Sequence, residues 1–93
     1  MKKIIDGTPN LRKNCAFVIH MRNPADTLRR VSIFFEDRGI PIELLNMHRY
    51  VSGDAILVVH CSIEKDRIPR TVQLLEKIPG ICELERMEGK ENL

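Results

Sequence analysis

Apolar residues along this chain recur with two different periods, and the places where one period gives way to the other mark its elements. Cys15 to Met21 reads Cys-Ala-Phe-Val-Ile-His-Met, a short apolar run rich in strand formers, and predicts a first strand. From Ala25 to Arg38 the period becomes helical. Leu28, Val31 and Phe35 fall at i, i+3 and i+7, Phe34 widens the stripe, and Arg29, Arg30, Glu36 and Asp37 face away from it. Asn23-Pro24 supplies the helix start, because Asn accepts a backbone N–H at the N-cap and Pro is pre-set for the first helical position. Asp26 places a negative charge in the first turn, at the positive end of the helix dipole. Gly39 ends this helix, and Pro41 prevents a restart.

Ile42 to Arg49 predicts a second strand. Val51-Ser52-Gly53-Asp54 carries turn chemistry, and Ala55 to Cys61 is the most strand-like run in the chain, so the two strands read as a hairpin. A second helix should begin between Ser62 and Pro69, since proline is tolerated only while its missing N–H belongs to the unpaired first turn. Val72, Leu75 and Ile78 mark its buried side, Pro79-Gly80 stops it, and Ile81 to Met87 is a last, partly exposed strand. The order is strand, helix, strand, strand, helix, strand. It predicts an α+β fold: a ferredoxin-like βαββαβ sandwich, with both helices on one face of a four-stranded antiparallel sheet. The domain spans 15–88, preceded by a basic extension over 1–14 and followed by a polar tail, 89–93.

A sheet wet on one side should alternate cleanly between apolar and polar residues. Strand three is apolar at both parities, and strand one adds Ala16 and Val18 to Phe17, Ile19 and Met21. The second sheet face is therefore expected to be covered by another subunit, in a homodimer or higher oligomer formed through the sheet.

Composition adds limits. Of 93 residues, 43% are apolar and 30% charged, and the net charge of +2 is interspersed, so no broad field draws in nucleic acid or a membrane. Ile4 and Ile5 do not make an apolar stretch long enough for a signal peptide, which makes a cytoplasmic location the expectation. Cys15, Cys61 and Cys82 are odd in number, each within an apolar run and none in a C-x-x-C pair, and read as buried reduced thiols.

The chemistries this topology can host are separable by residue. Base stacking needs aromatics on strands one and three; strand one offers only Phe17, at the parity that faces the helices, and strand three none. Soft-metal binding needs paired thiols after strand one, where the chain reads Arg22-Asn23-Pro24-Ala25-Asp26. His20, His48 and His60 read as ordinary strand histidines, so neither a metal nor any other cofactor is expected. An acylphosphatase-like phosphate cradle would need a glycine-rich loop, and only Arg22 and Asn46 are fragments of such a set. Glu36-Asp37 and the pair Glu83 and Glu85 read as solvated faces. No catalytic residues are expected, and the chain reads as a non-enzyme; an acylphosphatase-like hydrolase using Arg22 is the remaining catalytic alternative.

The run Asn23-Pro24-Ala25-Asp26-Thr27-Leu28-Arg29-Arg30-Val31, followed by Phe34-Phe35-Glu36-Asp37-Arg38-Gly39-Ile40-Pro41-Ile42, resembles the start of an ACT domain. Within that family it is most similar to the short, single-domain regulatory small subunit of acetolactate synthase. Leu74-Leu75-Glu76-Lys77-Ile78-Pro79-Gly80-Ile81 resembles the family's exit from helix two into strand four. The resemblance implies a non-catalytic subunit that binds a larger thiamine-diphosphate-dependent catalytic subunit in branched-chain amino acid biosynthesis. It also implies an amino-acid ligand at the loop between strand one and helix one, here Asn23, Ala25, Asp26 and Thr27. A free-standing ACT amino-acid sensor is the alternative. Asp26 stands where valine-responsive members carry Gly, and it adds a side chain and a charge at the helix end.

Overall fold

The computed structural model describes residues 12–88; residues 1–11 of the basic extension expected over 1–14, and the polar tail, lie outside the described residues. The elements run β1 (Arg12–Met21), α1 (Pro24–Asp37), β2 (Ile42–Arg49), β3 (Ala55–Glu64), a short 3-10 turn (Lys65–Arg67), α2 (Ile68–Leu75) and β4 (Ile81–Glu88). The sheet order is β2-β3-β1-β4 with every neighbouring pair antiparallel, which is the ferredoxin-like arrangement. Among the described residues, no helix is long and apolar enough to cross a membrane.

One parity of each central strand builds the core. Phe17, Ile19 and Met21 of β1 and Leu57, Val59 and Ile63 of β3 are fully buried, against Val31 and Phe35 of α1 and Leu75 of α2. Phe17 meets Phe35 edge-on, with ring centroids 6.1 Å apart. Each such side chain contributes about 1.5–3 kcal/mol through burial, so this parity fixes which sheet face receives the helices. Cys15 and Cys61 are register partners on the same buried side. Burial pushes the Cys61 thiol up to about 12, keeping it protonated.

Several boundaries and placements differ from the sequence expectation. β1 begins at Arg12 and not at Cys15, because β3 runs on to Glu64 and pairs with it: Arg12 lies opposite Glu64 and Asn14 opposite Ser62. The Arg12 guanidinium secures this end, donating to the Ser62 carbonyl at 2.7 Å and to its hydroxyl at 3.0 Å. α2 ends at Leu75, leaving Ile78 beyond it. Lys77 and Ile78 donate to carbonyls three residues back, Leu74 and Leu75, so the last turn tightens before Gly80. Cys82 is exposed, unlike the other two cysteines, because β4 is an edge strand whose first residues lie past the end of α2.

Candidate functional site

The turn from β1 into α1 is built by residues distant in sequence. Met21 ends β1; Arg22 then donates its backbone N–H to the Gly80 carbonyl at 2.8 Å, tying the turn to the start of β4. Asn23 occupies the N-cap position but adopts a left-handed conformation (φ 46°, ψ 63°) and makes no side-chain cap bond, which corrects the expected Asn cap. Asn tolerates that conformation better than most residues, and its own carbonyl still accepts the Thr27 N–H at 2.9 Å. Thr27 supplies the side-chain hydrogen bond in its place, turning back to donate its hydroxyl to the Arg22 carbonyl at 2.6 Å.

Gly80 has φ 98° and lies against this turn; a Cβ there would collide with the Thr27 hydroxyl and sit 3.3 Å from the Arg22 carbonyl. Two open depressions flank Asn23. One, of about 340 Å³, is lined by Arg22, Asn23, Gly80, Ile81 and Cys82. The other, of about 380 Å³, is lined by Asn23, Pro24, Ala25, Asp26 and Arg49. Asn23, Ala25 and Asp26 are thus brought to one surface. Thr27 is not among them: it is buried beneath the turn.

Asp26 points along α1. Its carboxylate accepts from Arg30 Nε at 2.9 Å and from Arg29 Nη2 at 2.8 Å, and these bonds, Arg30 first, hold its pKa below the ordinary carboxylate value. The charge at the helix mouth is therefore compensated twice over by basic side chains of the same helix. The fragments of a phosphate site do not converge. Arg22 lines the turn, while Asn46 lies on β2, two strands away, opposite Val58.

The sheet face away from the helices carries the second arrangement. Cross-strand register gives three rows, each running from β2 through β3 and β1 to β4: Leu44, His60, Ala16, Met87; then Asn46, Val58, Val18, Glu85; then His48, Ile56, His20, Glu83. Val18, Val58 and Ile56 form a partly exposed apolar centre, and Leu44 and Met87 at the two edges are each 55% exposed. All three histidines of the chain lie on this face. His20 Nε2 is 3.3 Å from Glu85 Oε2, and the ligand atoms of His20, Glu83 and Glu85 lie within 4.8 Å of one another. Glu83 and Glu85 are exposed, as the solvated-face reading expects, and the neighbour that reading did not supply is His20. The i, i+2 spacing of the two glutamates was a signal that they share a side, but His20 joins them only through the β1–β4 register.

No protein-family model matches the sequence, and no curated protein matches it. Solved structures do. The C-terminal domain of the MgtC protein from Mycobacterium tuberculosis superposes with a TM-score of 0.66 at 15% identity, over 95% of this chain and 98% of that one. The ACT domain of GTP pyrophosphokinase from Chlorobium tepidum gives 0.67 at 11% identity, over 84% and 99%. A formyltetrahydrofolate deformylase from Pseudomonas syringae pv. tomato gives 0.67 at 13% identity, over 87% of this chain but 28% of that one. The chain has an ACT-like fold.

Proposed function

We propose that this chain is a non-catalytic regulatory domain that associates through its open sheet face and regulates a larger catalytic partner. The resemblance in sequence makes that partner a thiamine-diphosphate-dependent, acetolactate-synthase-like subunit of branched-chain amino acid biosynthesis. The observation that carries the regulatory reading is the β1–α1 turn. It holds two open depressions beside a helix N-terminus, where free backbone N–H groups and the dipole suit a carboxylate. Asp26, the residue that departs from the family's glycine, supports this reading as placed, because Arg29 and Arg30 bind its charge and leave the helix mouth net positive. Solved ACT-like neighbours, one an ACT domain of an enzyme and one matching part of an enzyme chain, are consistent with a domain that serves a larger assembly.

Two measurements test this. Adding the purified chain to an acetolactate-synthase-type catalytic subunit should raise its activity, and an unchanged rate with no complex on gel filtration counts against the partner. Thermal-shift titration with valine, isoleucine and leucine tests the ligand. An amino acid at a hundred times its dissociation constant adds about 2.7 kcal/mol to the stability of the folded state. A flat response to all three removes branched-chain amino acids as effectors.

A further inference from the structure

We propose that His20, Glu83 and Glu85 form half of a binding site for a divalent cation of the zinc class, closed by His48 of a second copy packed against the open sheet face. The closing step rests on the sheet-face association proposed above.

One pair of the three side chains already has the spacing such a site demands, and the third lies close by. A tetrahedral site with bonds of about 2.0–2.1 Å separates its ligand atoms by about 3.3–3.4 Å. His20 Nε2 and Glu85 Oε2 are 3.3 Å apart, so they span one edge of such a site. The widest separation in the group is within 4.8 Å, and closing it takes about 1.5 Å of movement, a small rotation for an exposed glutamate. One imidazole with two carboxylates is a nitrogen and oxygen set that suits zinc, cobalt or nickel; calcium and magnesium favour oxygen alone. The charge also calls for a cation. Glu83 and Glu85 project to the same face, and the twelve positions of the three rows include no lysine or arginine.

The fourth ligand follows from symmetry. Two copies meeting face to face can be related by a two-fold axis parallel to the strands or by one perpendicular to them within the sheet plane. The perpendicular axis keeps each strand over its own copy and, centred on the middle row, sets Glu85 on Glu85. The parallel axis, running between β1 and β3, exchanges β2 with β4 and keeps each row in place. It sets Leu44 on Met87, Val58 on Val18, Asn46 on Glu85, and His48 on Glu83. Every edge pair is then apolar on apolar or a donor on a carboxylate, while the inner pairs set Val58 on Val18, Ile56 on His20 and His60 on Ala16, so the edges of this face are self-complementary about that axis and not about the other. Aligned sheets pack about 10 Å apart and cross at about 30°, which displaces the outermost strands by about 4 Å, within the reach of a histidine and a glutamate sharing one ion.

The test uses the full chain stripped with EDTA, then titrated with zinc by calorimetry and with cobalt by visible spectroscopy, beside sedimentation velocity with and without metal. The expected results are visible cobalt bands of tetrahedral strength and a dimer fraction that rises with zinc. His20→Gln and Glu85→Gln should each weaken zinc uptake by about tenfold or more while leaving the circular dichroism spectrum unchanged. His48→Ala should retain zinc binding but lose both the tetrahedral cobalt bands and the zinc-dependent dimer. Zinc binding weaker than about 1 mM, or binding indifferent to His20→Gln, overturns the site. A dimer that forms equally in EDTA without zinc uptake overturns the site and leaves the sheet-face association standing. A cation held by a persistent monomer overturns the closure by a second copy.

Discussion

Gly80 shows how much one residue decides in this chain. The sequence marks it as a helix stop, yet its place in the fold is to receive the Arg22 N–H and to lie against Thr27, more than fifty positions away. An alanine there meets a positive φ and a side chain with no room to retreat, since Thr27 is buried and its hydroxyl is committed to the Arg22 carbonyl. Gly80→Ala is expected to cost about 2–4 kcal/mol, from backbone strain plus overpacking, measured by urea denaturation. Gly53→Ala also sits at positive φ but has open space around the added methyl, so its cost should be limited to strain. Equal losses in the two variants would show that the packing of Gly80 against Thr27 carries no weight. Asn23 gives the complementary lesson: Asn-Pro announced a helix start correctly, but the left-handed turn that replaces a side-chain cap depends on the Gly80 contact and on Thr27, which no local signal reveals.

Among the elements, α1 was the most legible, because its apolar stripe, proline start and glycine end all agree. Its first turn also shows what Asp26 does at the helix N-terminus, where it binds Arg29 and Arg30 of the same helix. The Arg30 and Arg29 bonds lower the folded-state pKa of Asp26, so ionised Asp26 stabilises the fold above its unfolded value, and that contribution is lost as pH falls through the lower folded value. Asp26→Asn should therefore be less stable than the parent near neutral pH, with the difference shrinking as the pH drops below about 4. Melting curves at both pH values check this, and a constant difference would show that the arginine pairs are not the cause. α2 was harder to delimit. At eight residues it is too short to hold itself together, and Ile68, Thr71 and Leu75 are what seat it on the sheet.

At the scale of the whole molecule, the proposed association rests on the sheet face away from the helices. Val58 sits at the centre of the open face, flanked in its row by Asn46 and Val18. Val58→Lys places a charge there without disturbing Leu57 or Val59, which face the core. The proposed association predicts that the variant folds with near-parental stability and sediments more slowly than the parent at equal concentration. An unchanged sedimentation coefficient would place any association on another surface. The outer strands fit this picture, since β2 and β4 expose Leu44 and Met87 at opposite edges of the same row.

Sequence alone determined the order of the six main elements, because hydrophobic period is a local property and Gly, Pro and Asn punctuate it within a few residues. It also determined which parity of β1 faces the helices, and that the second sheet face carries more apolar surface than a wet face requires; β3 is apolar at both parities, and only the fold decided that Leu57, Val59 and Ile63 are its buried set. Tertiary structure alone decided the register. Burying Phe17, Ile19 and Met21 with Leu57, Val59 and Ile63 fixes how β1 lies against β3 and β4, and a slip of one residue would turn every side chain to the other side. That nonlocal choice carries β1 back to Arg12, presses Gly80 onto the turn before α1, and sets His20 beside two glutamates more than sixty positions away.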